Sequence, residues 1–264
     1  MRAPLAKVYA AYTDFEAMPR WSRQVKAVRV VATNKNGTTY GPTLLFTTKK
    51  AAPPGAPTLG KTFNASTVSG LVLIEVNGKF VPLTELTQIQ GGTVIDTLNG
   101  TIKLVASSGG VAPASDARAK KSKKSKAPKT FTGTFSGGIF KVTQAKSGAN
   151  KGLTTLTLMD KTPAFKGAPS YASCTAKAAD PTGQAALIRR TGYVRASATG
   201  RFSTRGRYGA GTVRGTKWTT TDQCNGTLIA VQQHSVLVTD FVTHKTIIVT
   251  AGHHYLAKAP TKKK

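Results

Sequence analysis

The sequence predicts a mainly β protein, with a short α+β fragment at its N-terminus. Asn-Gly pairs at 77–78, 99–100 and 225–226 each separate two segments of extended character. Asn-Gly is the strongest short hairpin signal because a type I′ turn needs positive φ at both central residues. After residue 60, no stretch has the apolar stripe of a helix of three or more turns. We therefore expect an antiparallel sheet, sandwich or β-roll over most of the chain.

Three hairpins follow from these pairs. Their expected strands are Leu71–Glu75 with Lys79–Leu83, Val94–Leu98 with Thr101–Val105, and Trp218–Cys224 with Thr227–Val231. In the second hairpin, Ile102 and Leu104 alternate with polar neighbours, which is typical of a half-buried strand. Residues 206–257 as a whole predict five short β segments in succession.

The first fifty residues predict a helix followed by a hairpin. An apolar stripe at helical spacing consists of Val8, Ala11, Tyr12 and Phe15. Pro19 is expected to end this helix. Two alternating segments, Gln24–Thr33 and Thr38–Thr47, flank Asn36-Gly37 and predict the hairpin. A helix and one hairpin cannot close a core by themselves.

Composition divides the rest of the chain. Residues 51–60 are rich in Pro and Gly and predict a linker, and residues 61–257 form the expected β domain. Within that domain, residues 107–130 hold a low-complexity basic insert that we expect to be disordered, and residues 258–264 form a basic tail. No apolar run is long enough for a transmembrane helix, and the first residues lack the apolar core of a signal peptide.

Motifs for chemistry are weak throughout. Gly55–Thr62 satisfies the phosphate-binding pattern GxxxxGK[ST], but a Pro-rich segment precedes it and a β-branched segment follows it, where a strand and a helix are required. Solvent-exposed or satisfied side chains are the expected state of the four histidines, His234, His244, His253 and His254. We find no nucleophile, acid–base pair or metal set, and expect no enzyme activity and no cofactor.

Charge favours anionic partners. The chain carries 38 Lys and Arg against 10 Asp and Glu, a formal net charge of +28, which attracts anions without naming one. The candidate anion-binding residues lie in the basic insert and on the approach to the later β segments: Arg118, Lys120, Lys121, Lys123, Lys124, Lys126, Arg201, Arg205, Arg207 and Arg214. Aromatic residues near these arginines also permit nucleic-acid binding, which we keep as a third alternative beside general adhesion to anionic surfaces.

The two cysteines, Cys174 and Cys224, leave two possibilities open. They lie in a loop-like stretch and beside a hairpin turn, so each is expected at the rim of a β domain. They either form a disulfide, which indicates an oxidising compartment, or are two unrelated thiols. Their spacing excludes a CxxC zinc or redox motif.

The N-terminal segment resembles a known superfamily. Its matching residues are Ala3-Pro4, Val8-Tyr9, Asp14-Phe15-Glu16, Met18-Pro19 and Trp21. This sequence pattern is similar to the N-terminal segment of the START-like (SRPBCC) polyketide cyclase and coenzyme-Q-binding proteins. The resemblance implies a helix-grip fold that binds a hydrophobic ligand, but it spans only residues 3–48, about a third of such a domain. We therefore expect an incomplete START-like fragment over residues 1–50, without a working apolar pocket.

Residues 61–257 carry a second resemblance. Its earlier part consists of Val68–Leu73, Phe80–Leu83, Ile89, Val94–Thr97 and Gly100–Leu104. Its later part consists of Val213–Thr216, Gly226-Thr227, Val236–Val238 and Ala251-Gly252. These patterns resemble the FecR domain, in particular secreted actinobacterial proteins in which such sheets end an extracellular chain. Ser235 departs from the pattern, where a turn Gly is usual, and so does the loose segment Thr87–Gly92.

The FecR-like resemblance implies a non-enzymatic β module of the cell envelope or extracellular space. Its partner would be a protein or an anionic envelope polymer, and the secreted interpretation predicts a Cys174–Cys224 disulfide. The regulatory role of membrane-anchored FecR proteins is not implied, because no membrane span is expected here. The alternative, from the START-like resemblance, is a polyketide cyclase or lipid-binding protein with a hydrophobic ligand.

Overall fold

The computed structural model describes residues 27–34, 37–45, 53–110, 130–159, 174 and 190–260. The chain splits into two compact units, Met1–Ala52 and Pro53–Lys264. The division lies within the predicted linker. All helical residues expected at the N-terminus, and residues 111–129 of the basic insert, fall outside the described residues.

The first unit contains the predicted hairpin. Strand β1 spans Ala27–Asn34 and β2 spans Gly37–Leu45, and the two pair antiparallel. The pairing runs from Ala27 opposite Leu45 to Asn34 opposite Gly37. The predicted hairpin is therefore confirmed, and Gly37 of the Asn36-Gly37 signal is the first residue of β2.

The second unit is a single 13-stranded sheet system. Its strands are β3 (Thr62–Val76), β4 (Lys79–Pro82), β5 (Thr87–Gln90), β6 (Val94–Ser107), β7 (Thr130–Ser136), β8 (Ile139–Gln144), β9 (Thr154–Leu158), β10 (Arg190–Arg205), β11 (Gly209–Gln223), β12 (Gly226–Val231), β13 (Ser235–Asp240), β14 (Thr246–Thr250) and β15 (His254–Lys258). No helix occurs in the described part of the chain. The expected mainly β fold class is confirmed.

Five strands close into a ring. β6 pairs with β7, β7 with β10, β10 with β9, β9 with β8, and β8 again with β6. Each long strand, β6 and β10, divides one edge between two partners, so the sheet folds back on itself. β3 extends the ring on the far edge of β6, and β11 extends it on the far edge of β10.

One contiguous core fills this architecture. Large side chains with almost no exposed surface include Trp218, Phe63, Phe135, Phe140 and Phe202. The Phe135 ring packs edge-on against Phe140, with centroids 6.1 Å apart, and tilted against Phe202 at 5.5 Å. Burying an aromatic side chain of this size contributes roughly 1.5–3 kcal/mol. The ring is thus closed by packing as well as by its backbone ladders.

Two of the three predicted hairpins of this unit are present. β3 and β4 meet at Asn77-Gly78, where both residues have positive φ, 51° and 75°, as a type I′ turn requires. β11 and β12 pair up to Gln223 opposite Gly226, so their turn residues are Cys224 and Asn225. Gly226 belongs to β12, and a Cβ there would lie 2.3 Å from the Ala257 carbonyl oxygen. That glycine allows β15 to approach rather than forming the turn.

The hairpin expected at Asn99-Gly100 is wrong, because β6 runs without interruption through both residues. Gly100 faces Gly70 across the β3–β6 ladder, and the register shifts on either side of this pair. A Cβ on Gly100 would lie 2.5 Å from the Leu71 carbonyl oxygen. The glycine therefore permits a close crossing of two bent strands.

The expected antiparallel sheet contains one parallel pair of strands. β9 and β10 run parallel, with Phe202 opposite Thr154 and Arg205 opposite Thr157. The pairing joins segments separated by more than thirty residues, so no local turn signal predicts it. In the described residues, no helix is long and apolar enough to cross a membrane.

Candidate binding groove

An open groove lies on the outer face of five neighbouring strands, in the order β14, β13, β11, β10 and β9. Backbone register aligns one side chain from each strand in a row: Ile248, Leu237, Thr212, Ser203 and Thr155. Alternate positions on the same strands, such as Phe202 and Val238, are buried in the core. The row results from period-2 alternation, which sends every second side chain to this face.

The groove encloses about 880 Å³. Its lining combines basic, hydroxyl and apolar side chains from residues 150–248, which include Asn150, Leu153, Arg201, Arg205, Thr239 and Phe241. Apolar surface is concentrated at the β13–β14 end, where Ile248 is 69% exposed and Leu237 is 44% exposed. Basic surface lies on β10.

Two arginines stand on either side of Ser203. The Arg201 guanidinium donates to the carbonyl oxygens of Lys151 and Ala149, at 2.6 and 2.9 Å. The Arg205 guanidinium carbon lies 4.2 Å from the centroid of the Phe241 ring. A carbonyl or an aromatic face orients a guanidinium without neutralising its charge. Both side chains are therefore held in place as cations.

The hydroxyl of Ser203, between the two arginines, and that of Thr212, opposite it on β11, are also ordered. Ser203 is only 3% exposed, and the Thr212 hydroxyl donates to its Oγ at 3.1 Å. Together, Arg201, Arg205, Ser203 and Thr212 place positive charge and hydroxyl donors next to the apolar strip of Leu237 and Ile248. We call this set the arginine groove.

The structure brings together only part of the predicted anion-binding set. Arg201 and Arg205 line the groove, whereas the Arg207 guanidinium lies over the Tyr208 ring at 5.9 Å from its centroid. Arg214 lies on β11, and its side chain is not among those described. The lysines of the insert and Arg118 fall outside the described residues: Arg118, Lys120, Lys121, Lys123, Lys124 and Lys126.

The two cysteines form a disulfide. Cys174 and Cys224 are joined with their Cα atoms 5.4 Å apart, across a sequence separation of 50 residues. Cys224 is the first residue of the β11–β12 turn and is 7% exposed. The interpretation as two unrelated thiols is wrong.

Two buried carboxylates hold loops in place. Asp222 accepts from the backbone N–H of Arg207 and, at 2.5 Å, from the Thr227 hydroxyl. Asp240 accepts from the N–H groups of Val242 and Thr243 and from the Tyr255 hydroxyl at 2.8 Å. Asp222 thus links the backbone near the β10–β11 connection to Thr227, its partner across the β11–β12 hairpin.

The hydrogen bonds of Asp240 change its acidity. Burial acts to raise the pKa of Asp240, but the donors from Thr243, Tyr255 and Val242 outweigh it and lower the pKa below its usual range. Burial, together with the hydrogen bond to Asp240 and its negative charge, raises the pKa of Tyr255. For Asp96, burial outweighs the Leu98 N–H bond and raises the pKa. The pKa shifts of Asp240 and Tyr255 keep the carboxylate ionised and the phenol neutral, so the phenol can donate to the carboxylate.

The weak sequence motifs correspond to structural features. Thr62 of the phosphate-binding pattern begins β3 rather than a helix, and the Gly60 N–H donates to the Gln144 side chain at 2.9 Å. All four histidines are exposed. No group of three or more His, Cys, Asp or Glu in the described residues could hold a metal ion.

A second, smaller groove of about 400 Å³ lies elsewhere on the sheet surface. It is lined by Thr101, Thr134, Ser136, Arg195, Ala196, Ser197, Lys217 and Gln232. Like the arginine groove, it has two cationic side chains, here Arg195 and Lys217, but no Leu or Ile is part of its lining. Sequence reasoning missed this groove, because it joins strands β6, β7, β10 and β11, which are far apart along the chain.

Comparison with known proteins gives one match. The model of the family described as polyketide cyclase / dehydrase and lipid transport matches residues 1–98, which is less than half of the 264-residue chain. No curated protein and no solved structure shows significant similarity to this chain. Nothing in these comparisons supports the FecR-like resemblance, which stays a prediction. The chain is thus similar to the polyketide cyclase and lipid transport family over residues 1–98, and the arginine groove lies entirely outside that segment.

Proposed function

We propose that this chain is a non-enzymatic β module whose arginine groove binds an anionic partner. The observation that carries the proposal is the pair of oriented cations, Arg201 and Arg205, on an open face. Among the described residues, both guanidiniums contact only carbonyl oxygens or an aromatic ring, and no carboxylate neutralises either charge. A face that holds two uncompensated cations four residues apart on one strand is suited to a polymer that carries carboxylate, phosphate or sulfate groups.

The remainder of the groove describes the ligand further. Leu237 and Ile248 offer apolar surface beside the hydroxyls of Thr212 and Ser203. An anionic envelope polymer that also presents apolar groups would contact both parts. The disulfide supports a site of action in an oxidising compartment, the cell envelope or the extracellular space. The FecR-like resemblance agrees with this role.

A matched pair of variants separates groove binding from general charge attraction. Arg201→Gln with Arg205→Gln removes two positive charges from the arginine groove, and Arg195→Gln with Lys217→Gln removes two from the smaller groove. We expect the first variant to weaken binding of polyphosphate about tenfold or more, and the second about twofold or less. Titrations should be made at several salt concentrations, since non-specific attraction is strongly screened. Equal losses in both variants would contradict the proposal.

The choice of anion tests the nucleic-acid alternative. A duplex oligonucleotide and heparin are measured beside polyphosphate with the same variants. If all three bind alike and lose affinity alike, the interaction is general adhesion through a net charge of +28. Dependence on the groove arginines for the duplex alone would favour nucleic-acid binding instead.

The second candidate function is hydrophobic-ligand binding, which the match to the polyketide cyclase and lipid transport family over residues 1–98 favours. The matched segment ends inside β6 and contains no residue of the arginine groove. A long-chain fatty acid should then bind the wild-type chain and the Arg201→Gln, Arg205→Gln variant with equal affinity. Loss of fatty-acid binding in that variant would assign the ligand to the groove.

A further inference from the structure

Four strands of the 13-stranded sheet have one partner each, and their second edges are unpaired among the described strands: β4, β5, β14 and β15. An unpaired edge exposes backbone donors and acceptors that pair readily with another extended chain. Proteins protect such edges with charge, Pro or short length. β4 has Lys79 and Pro82, β5 is four residues long, and β15 begins with His254 and ends with Lys258.

The β14 strand has neither charge nor Pro to protect its edge. Its sequence, TIIVT, contains no charge, no Pro and no Gly. Ile247 packs partly against the core and Val249 is buried, so the strand is firmly attached to the sheet. Ile248 is 69% exposed, the most exposed large apolar residue described. Its second edge is therefore firmly held, and no described strand covers it.

Hydrogen-bond parity identifies the outward backbone groups. The Asp240 N–H donates to the Lys245 carbonyl, and the Ala251 N–H donates to the His234 carbonyl. In an antiparallel pair such bonded positions recur at every second residue, so those of β14 are 245, 247, 249 and 251. The N–H and C=O groups of Thr246, Ile248 and Thr250 consequently point away from β13. These three residues present a regular row of backbone donors and acceptors that no described strand pairs with.

The charges around the β14 edge indicate which kind of extended chain would bind there. Lys245, immediately before the strand, is exposed, and Lys258 is exposed on nearby β15. The only carboxylate within residues 226–260 is Asp240, which is buried and accepts three hydrogen bonds. A second copy of the chain would bring a net charge of +28 against the same charge, which opposes self-pairing.

From this geometry we infer that the free edge of β14 docks an extended acidic peptide, which adds to the sheet as one more strand. The backbone groups of Thr246, Ile248 and Thr250 pair with the peptide, as in β-strand addition. Alternate peptide side chains lie beside Ile248, and acidic side chains meet the surrounding positive charge. The site is distinct from the Arg201–Arg205 pair, which lies on β10, the third strand in from β14.

The test uses the full chain and a capped fluorescent heptapeptide of alternating Glu and Val. Ile248→Pro removes the central outward donor without touching the bonds to β13, and Ile248→Thr keeps that donor but removes the apolar side chain. We expect the Pro variant to raise Kd at least tenfold and the Thr variant less than about threefold. Circular dichroism and thermal melting verify that each variant is folded.

Further variants, a second peptide and the oligomeric state of the wild type complete the test. If Ile248→Pro does not fold, Thr246→Pro removes another outward donor at the start of the strand and is expected to weaken binding in the same way. The Arg201→Gln, Arg205→Gln variant should bind the peptide with unchanged Kd, which keeps this inference separate from the groove proposal. Equal losses in Ile248→Pro and Ile248→Thr, or equal binding of a Lys-Val peptide, would overturn the inference. Concentration-dependent dimers of the wild type that disappear in Ile248→Pro would overturn it in favour of self-pairing.

Discussion

Single residues in this fold carry roles that their types alone do not reveal. Thr204 accepts a hydrogen bond from the Trp218 indole at 2.7 Å and lies 2.5 Å from the Thr220 hydroxyl. This buried network satisfies the indole N–H inside the core, where an unpaired donor would cost about 1–3 kcal/mol. Threonines on β10 and β11 thus serve both strand propensity and core polarity.

The pair of Asp240 and Tyr255 gives a pH-dependent prediction. Asp240 has a lowered pKa, so its stabilising contribution is present above the unfolded value near 3.8 and is lost as the pH falls through the folded value. Tyr255→Phe removes one donor to this carboxylate and should reduce the free energy of unfolding by roughly 1–2 kcal/mol at pH 7. Chemical denaturation at pH 7 and at pH 3 measures the difference, which we expect to shrink at pH 3.

The control for this prediction is the same change in an Asp240→Asn background. There the acceptor carries no charge at any pH, so Tyr255→Phe should have a similar effect at both pH values. A wild-type difference that is as large at pH 3 as at pH 7 would show that Tyr255 stabilises the fold independently of the charge on Asp240.

At the level of elements, the β11–β12 hairpin is the most constrained part of the sheet. Cys224 in its turn is bonded to Cys174, and Gly226 at the start of β12 lies against β15. Asp222, two residues before the turn, is tied to Thr227 after it. The hairpin is therefore held by a covalent bond, a close backbone contact and a charged hydrogen bond.

The disulfide is expected to stabilise this hairpin and the fold as a whole. Closing a loop of 50 residues stabilises the folded state by about 4 kcal/mol in the chain-entropy model. Reduction of the wild type, or the pair Cys174→Ser and Cys224→Ser, should lower the free energy of unfolding by an amount of that order. Denaturant titration with and without reductant measures it, and the Ser pair, which has no bond to reduce, is the control. Unchanged stability on reduction would contradict a structural role.

At the level of the whole molecule, the chain combines a single β core with an excess of positive charge. The described core extends from Phe63 to Ala257 and is contributed by strands of the second unit. The excess of positive charge favours solubility and attraction to anions but contributes nothing to the fold itself. Specific binding must therefore come from places where the sheet organises charge or backbone, as in the arginine groove and at the β14 edge.

Residues 53–264 should fold without the rest of the chain. Their core is contiguous, so we expect one cooperative thermal transition for this fragment, within a few degrees of the corresponding transition of the full chain. Differential scanning calorimetry of both proteins makes the comparison. A fragment without a cooperative transition would show that residues 1–52 are needed to complete the core. The same fragment lacks half of the segment matched to the lipid transport family, so its fatty-acid binding also tests the second candidate function.

The local features of this protein follow from its amino-acid sequence. Period-2 alternation and Asn-Gly pairs predicted the mainly β class and the hairpins at Asn36-Gly37, Asn77-Gly78 and Asn225-Gly226, the last with its turn one residue earlier in the structure. These signals depend on neighbours within a few residues. Arg201 and Arg205 were also singled out from composition. What the sequence could not show was that both arginines lie on one face with Leu237 and Ile248.

The long-range features are visible only in the folded chain. The Asn99-Gly100 pair has the sequence of a hairpin turn, yet it lies where strands β3 and β6 cross. Gly70 lies opposite Gly100, and the two glycines allow the backbones to approach each other. The parallel β9–β10 pair, the closed ring, and the free edge of β14 all depend on which distant strands meet. Strand pairing is a contact between segments far apart in the chain, and its free energy comes from shared burial that no local pattern contains.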